Sequence, residues 1–190
     1  MKISYYRLKL FIGNRVIERR LKKKSSREMR SCNIEHAKSL GMLCVIKNRE
    51  DYDAVVKIID IIKSDFSIPT IKILAFYPLK DEPFFLKSRL GLDFFKVEDL
   101  NYYAFPNNVI VRNFINESFD ILVDLTANKV IPLRLILHFS NSLFKVGSFS
   151  NENKKFYDLM IETDPGDYLE YVKQVFNYLK IFNKTNVSKE

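Results

Sequence analysis

A chain of 190 residues with 47% apolar content and 16 Phe can fill a core without disulfides or a structural metal, because a folded chain of this size buries roughly 70% of its extended surface. Five Gly leave little material for glycine-rich phosphate loops, and two Cys with two His make a poor metal set, so neither a metal nor a cofactor is expected. The net charge of +8 sits at one end of the chain. Residues 1–30 hold eleven Lys or Arg against Glu18 and Glu28, a net of +9. The remainder carries twenty basic and twenty-one acidic residues.

The elements follow in chain order. Residues 5–24, YYRLKLFIGNRVIERRLKKK, place Leu8, Ile12 and Val16 four apart, with Ile17 and Leu21 beside them. That spacing predicts an amphipathic helix. Gly13-Asn14 is a potential break in it. Ser25-Ser26 would end this helix or cap a second one, starting near Arg27 and carrying Met29, Cys32, Ile34 and Ala37 toward Leu40. Gly41 then reads as the C-terminal stop of that second helix.

From there short apolar runs alternate with helical patterns. Met42–Ile46 is a first strand, and Cys44 within it is a small buried apolar residue. Asn48 or Asp51 caps a helix near 51–64, with Ala54, Val55, Ile58, Ile59 and Ile62 on one face. Ile71–Tyr77 is a second strand, closed by Pro78, and Phe94–Val97 a short third. NYYAFP, residues 101–106, is a loop rich in aromatics. Asn107 or Asn108 opens a helix through Asn116, and Phe119–Leu125 is the strongest strand signal. Residues 130–141 form a helix with Leu133, Ile136 and Leu137 inward. Leu143–Val146 and Tyr157–Ile161 are further strands, and Asp167–Phe182 is a last helix.

Strands separated by helices indicate parallel βαβ units, and runs such as ILVDL suit strands buried on both faces. The fold class expected is therefore α/β: a three-layer, Rossmann-like domain with a mostly parallel sheet, over residues 31–182. A basic helical arm, residues 1–30, would precede it, and residues 183–190 would be a disordered tail. The basic start is not followed by a signal-peptide pattern, and no uncharged apolar run is long enough to span a bilayer. The cytoplasm is the expected location.

Three groups of residues could carry function. The tract from Arg15 to Arg30 has eight cations in sixteen residues: Arg15, Arg19, Arg20, Lys22, Lys23, Lys24, Arg27 and Arg30. A solvated face normally mixes signs, and this one hardly does, which points to a polyanionic partner. Six phosphate contacts on a duplex would give a salt slope of about −5. Tyr5, Tyr6 and Phe11 precede the basic part, so base stacking is not indicated.

The second group is Asp124, Thr126 and Asn128, where a strand ends in polar residues; ligands of open parallel sheets bind beyond such ends. The plainer reading is that Asp124 or Thr126 caps the following helix and satisfies loop amides, and Asn128 could cap that helix too. No G-x-G-x-x-G, G-x-x-x-x-G-K-[ST] or G-x-S-x-G motif is present. In the third group, His36 and His138 are far apart and lack a partner at fixed spacing. The pairs Asp51/Asp53, Asp81/Glu82 and Asp164/Asp167 fall where carboxylates favour helix N-termini. No catalytic residue is assigned.

The segment FDILVDLT…PLRLILHFSNSLFKVGSF…NKKFYDLMI, with the basic helix before it, resembles a family of small bacterial proteins classed as a domain of unknown function. That resemblance implies no activity. FDILVDL, a helix, and a strand ending in KVG are also similar to a βαβ stretch, "YDLVIDLQG…RIGF", of heptosyltransferase-like glycosyltransferases. Leu125-Thr126-Ala127 stands where that family has polar and Gly residues, and the chain is too short for its second, sugar-nucleotide-binding domain. This implies a scaffold and not a catalyst.

Three functions remain open. The favoured one is a non-enzymatic protein whose basic helix docks on RNA, a ribonucleoprotein or another acidic surface. The second is a nucleotide or sugar-nucleotide binder, a degenerate glycosyltransferase-like domain using the Asp124 cleft. The third is attachment to an anionic membrane surface through Leu8, Phe11, Ile12, Val16 and Leu21.

Overall fold

A computed structural model describes residues 2–21, 29–81, 83–126, 128–162 and 167–181. Six strands form one parallel sheet: β1 (Ser39–Val45), β2 (Thr70–Tyr77), β3 (Leu92–Lys96), β4 (Ile121–Asp124), β5 (Phe144–Ser148) and β6 (Leu159–Ile161). Their order is β3-β2-β1-β4-β5-β6. The helices are α1 (Lys2–Leu21), α2 (Arg49–Asp65), α3 (Val109–Asn116), α4 (Ile131–Phe139) and α5 (Tyr168–Ile181). The α/β reading holds, and every strand pair is parallel. Among the described residues no helix is long and apolar enough to cross a membrane.

The alternation of side chains along each strand builds two cores. Leu40, Met42 and Cys44 of β1, with Ile121 and Val123 of β4, pack under α2 and α5. Leu43, Val45 and Leu122 face the other way, under α3 and α4. All four residues of β4 are buried, as a central strand covered on both sides requires. Asn48 caps α2 by accepting from the Asp51 amide (2.8 Å), and Val55, Ile58, Ile59 and Ile62 form its buried stripe. Asn108 caps α3 in the same way, through the Val111 amide (2.9 Å).

Of the second helix expected from Arg27 toward Leu40, the described residues, 29–40, form none. Residues 29–33 have no helical structure, and Asn33 caps only a single 3-10 turn, Ile34–His36. Its amide also donates to Lys180 O at the end of α5 (2.9 Å), which pins this connection to the body. Ala37 is extended, and Leu40 and Gly41 belong to β1, paired with Ile71 and Lys72. The apolar spacing of Ile34, Ala37 and Leu40 is met equally well by a tight turn that runs into a buried strand. Gly41 is no helix stop: a Cβ there would lie 2.7 Å from the Phe119 ring.

The first helix shows the opposite correction. Gly13 does not break it; α1 is continuous. A Cβ at Gly13 would lie 2.5 Å from Tyr103 O, so glycine is what lets α1 reach the chain at residues 103–104. This contact also sets the rotation of the helix. The inward stripe is Tyr6, Leu10, Gly13 and Val16, packed on α4 and the 101–105 loop. Leu8, on the apolar stripe read from the sequence, is 53% exposed.

Candidate functional site

The strand order reverses between β1 and β4, and in doubly wound sheets ligands occupy the crevice outside that point. A cleft of about 760 Å³ lies there. Lys47 and Asn48 enter it from the β1–α2 turn, and Thr126 and Asn128 from the β4–α4 turn. Tyr6 and Leu10 of α1 form one wall, and burial pushes the Tyr6 phenol upward.

Two of the carboxylates around the cleft are engaged at helix starts. Asp51 Oδ2 accepts from the Lys47 amide (2.8 Å) while Asn48 accepts from the Asp51 amide, a reciprocal box that closes the start of α2. Glu50 shares that first turn. Asp53, one turn on, pairs with Arg49 at 3.1 Å. Asp167 Oδ1 accepts from the Leu169 amide (2.8 Å) at the start of α5. Asp51 and Asp167 therefore serve helix starts, and Glu82 and Asp164 lie outside the described residues.

Asp124 does not line the cleft. It is 1% exposed and lies beneath it. Its Oδ1 accepts from Thr126 N (2.9 Å) and Thr126 Oγ1 (2.7 Å), and its Oδ2 accepts from Tyr157 Oη (2.6 Å). Asp124 thus folds the chain back at the end of β4 and ties it to the segment before β6. The helix that follows has Val130 at its N-cap with no side-chain cap, so neither Thr126 nor Asn128 caps it. Asn128 is exposed.

Burial pushes the Asp124 carboxyl above the ordinary value of 3.8, against the hydrogen bonds from Tyr157 and Thr126 and the charge of Arg134. The same burial, with the carboxylate beside it, raises the Tyr157 phenol. A carboxyl raised in the folded state holds its proton there more tightly than in the unfolded chain. Stability relative to Asp124→Asn should therefore fall as pH rises from about 4 upward, the ordinary carboxylate value. Urea unfolding of both proteins between acid and neutral pH checks this, and a constant difference would contradict it.

The basic tract is only partly within view. Arg15 and Arg19 are exposed on α1, and Arg30 is exposed beyond it. Arg20 sits on α1, while Lys22, Lys23, Lys24 and Arg27 lie outside the described residues. Tertiary structure adds what the linear pattern did not contain. Arg7, Phe11, Arg15 and Arg19 recur every four residues and are all exposed, a stripe of outward side chains about 6 Å apart along the axis. Arg15 lies over the Phe11 ring (5.4 Å) and near Glu18 (3.7 Å). Lys9 donates to Leu100 O (2.7 Å) and sits 5.9 Å from the Tyr102 ring. The 101–105 loop therefore places exposed Tyr102 and Tyr103 beside the basic helix.

The two histidines stay apart: His36 is exposed in the 3-10 turn, and His138 lies against Phe139 (5.2 Å). No cluster of three or more His, Cys, Asp or Glu suited to a metal occurs among the described residues.

Sheet order and cleft position define a doubly wound, parallel α/β protein. The chain belongs to a family of unknown function, DUF6913, whose profile matches residues 9–182. No curated protein and no solved structure matches it.

Proposed function

We propose that the protein docks on a nucleic-acid phosphate backbone through the outward face of α1, with RNA as the partner. The observation that carries this reading is the exposed stripe of Arg7, Phe11, Arg15 and Arg19 on a helix whose other side packs, half-buried, on the domain. A helix anchored in this way presents its cations without the cost of ordering the backbone at binding, which favours affinity. Six of the residues in α1 are basic and one is acidic, so phosphate contacts would fix position and carry no sequence preference. The tract at 22–30 continues the same charge.

The test is RNA binding across a salt series by the protein and by a variant with Arg7, Arg15 and Arg19 changed to Gln. These residues are exposed, so the fold should be kept. Three lost phosphate contacts should make the slope of log affinity against log salt shallower by about 2–3. An unchanged slope removes the reading. Equal retention on anionic vesicles would assign the face to lipid instead.

A second reading is favoured by the cleft at the strand reversal: a small-molecule site. Glu50, Asp51 and Asp167 line it against Lys47 and Lys129, an acidic balance that disfavours a diphosphate. Asn48, Thr126 and Asn128 suit the hydroxyls of a sugar or nucleoside. Sugars and nucleosides should raise the melting temperature more than nucleoside diphosphates do, and Asn128→Ala should remove the shift. The opposite ranking counts against this ligand class.

A further inference from the structure

Between α1, α4 and the aromatic loop lies a groove of about 440 Å³, lined by Val16, Asn101, Tyr103, Phe105, Leu135 and Phe139. Its walls are mostly apolar rings and branched side chains, with Phe105 and Phe139 edge to face at 5.5 Å. We infer that this groove receives an unstacked base of a single-stranded nucleic acid whose phosphates lie on the arginines of α1. The inference rests on the phosphate-docking reading above and names what that reading leaves open, the strandedness of the partner.

Three features support it. First, Val16 on the groove wall stands three residues before the exposed Arg19 on α1, a spacing at which side chains are neighbours on a helix surface. Apolar stacking walls next to a phosphate-binding stripe are the two parts a single-strand site needs. Second, the loop is held rigid before any ligand arrives. Asn101 Oδ1 accepts from the amides of Tyr103 (2.8 Å) and Phe105 (3.1 Å), and the Ala104 amide returns to Asn101 O (3.1 Å). Ala104 is held at φ 57, a conformation that alanine adopts only when its surroundings impose it. Tyr102 and Tyr103 are thereby presented at 68% and 55% exposure on a fixed frame. Third, with both amides on Oδ1, Asn101 keeps its amide nitrogen to donate to the edge of a base in the groove.

A duplex cannot offer such a base, so single strands should be preferred. The chain contains no Trp, which makes Tyr103→Trp a lone reporter of stacking. Its fluorescence should be quenched by oligouridylate and left unchanged by an abasic strand of the same length. In binding by anisotropy, Tyr103→Ser should lose about tenfold for oligouridylate, a typical single stacking contact, and Tyr103→Phe should keep wild-type affinity. The abasic strand should bind wild type and Tyr103→Ser alike, since only phosphates remain.

Failure of the two readings separates cleanly. Equal binding of oligouridylate and abasic strand, still lost on changing the α1 arginines, overturns base insertion and leaves phosphate docking standing. Bound oligouridylate with no quenching of Trp at 103 also overturns insertion. No binding of any strand overturns both.

Discussion

Phe119→Ala should lower the free energy of unfolding by about 3–5 kcal/mol, the usual cost of deleting a fully buried ring. Phe119 is 0% exposed and lies two residues before the start of β4. Its ring tilts against Phe114 at 4.8 Å between centroids. Gly41 in the middle of β1 leaves it room, since a Cβ there would intrude to 2.7 Å. Gly41→Ala alone should therefore cost about 1–3 kcal/mol by overpacking. Joined to Phe119→Ala, the added methyl enters space the ring has vacated. The double variant should be more stable than the sum of the single effects allows. Urea denaturation of the four proteins measures the coupling. Strict additivity would show that Gly41 does not serve the ring.

The second large effect is expected at Lys145. It lies in β5 at 4% exposure, and its ammonium donates to Leu137 O and to Ser140 O (2.9 Å). These carbonyls terminate α4, where the helix dipole also favours a cation. Lys145→Met keeps most of the side-chain volume and removes the donor. The carbonyls then stay buried without it, at a cost of about 2–3 kcal/mol. The loss should appear in urea unfolding, with hydrogen exchange fastest at the end of α4. A neutral substitution would mean that water or another donor replaces the ammonium there.

Both residues bear on how much of the fold could be read in advance. The strands and helices from Met42 onward were legible because each combines an apolar period with local punctuation: Asn48 and Asn108 as caps, Pro78 as a stop. Lys145 was not legible as a buried charge, because its partners are carbonyls of a helix that only the sheet brings near. Gly41 and Gly13 were misread as punctuation for a related reason. Each is small because a ring or a backbone segment from elsewhere occupies the space of a Cβ. A glycine in sequence shows conformational freedom and a missing side chain, and does not show which of the two is being used.

The same division applies to the candidate sites. The cationic excess at the N-terminus, the α/β alternation and the polar end of β4 follow from residue order alone. Asp124 at that polar end proved to be a buried tie to Tyr157, while Thr126 and Asn128 line the cleft above it. The aromatic loop NYYAFP was visible in sequence but lies some eighty residues or more from the basic helix. Its place beside that helix comes from Gly13 meeting Tyr103 and Ala104. The sequence by itself determined charge, the element types from Met42 onward and the parallel class, because these depend on local pattern and composition. Only the tertiary structure decided which face of α1 is outward, that Asp124 is enclosed, and that two exposed tyrosines stand beside the basic helix, Tyr102 next to Lys9. Those facts are set by contacts between segments far apart in the chain, where packing and the space left by two glycines choose the arrangement.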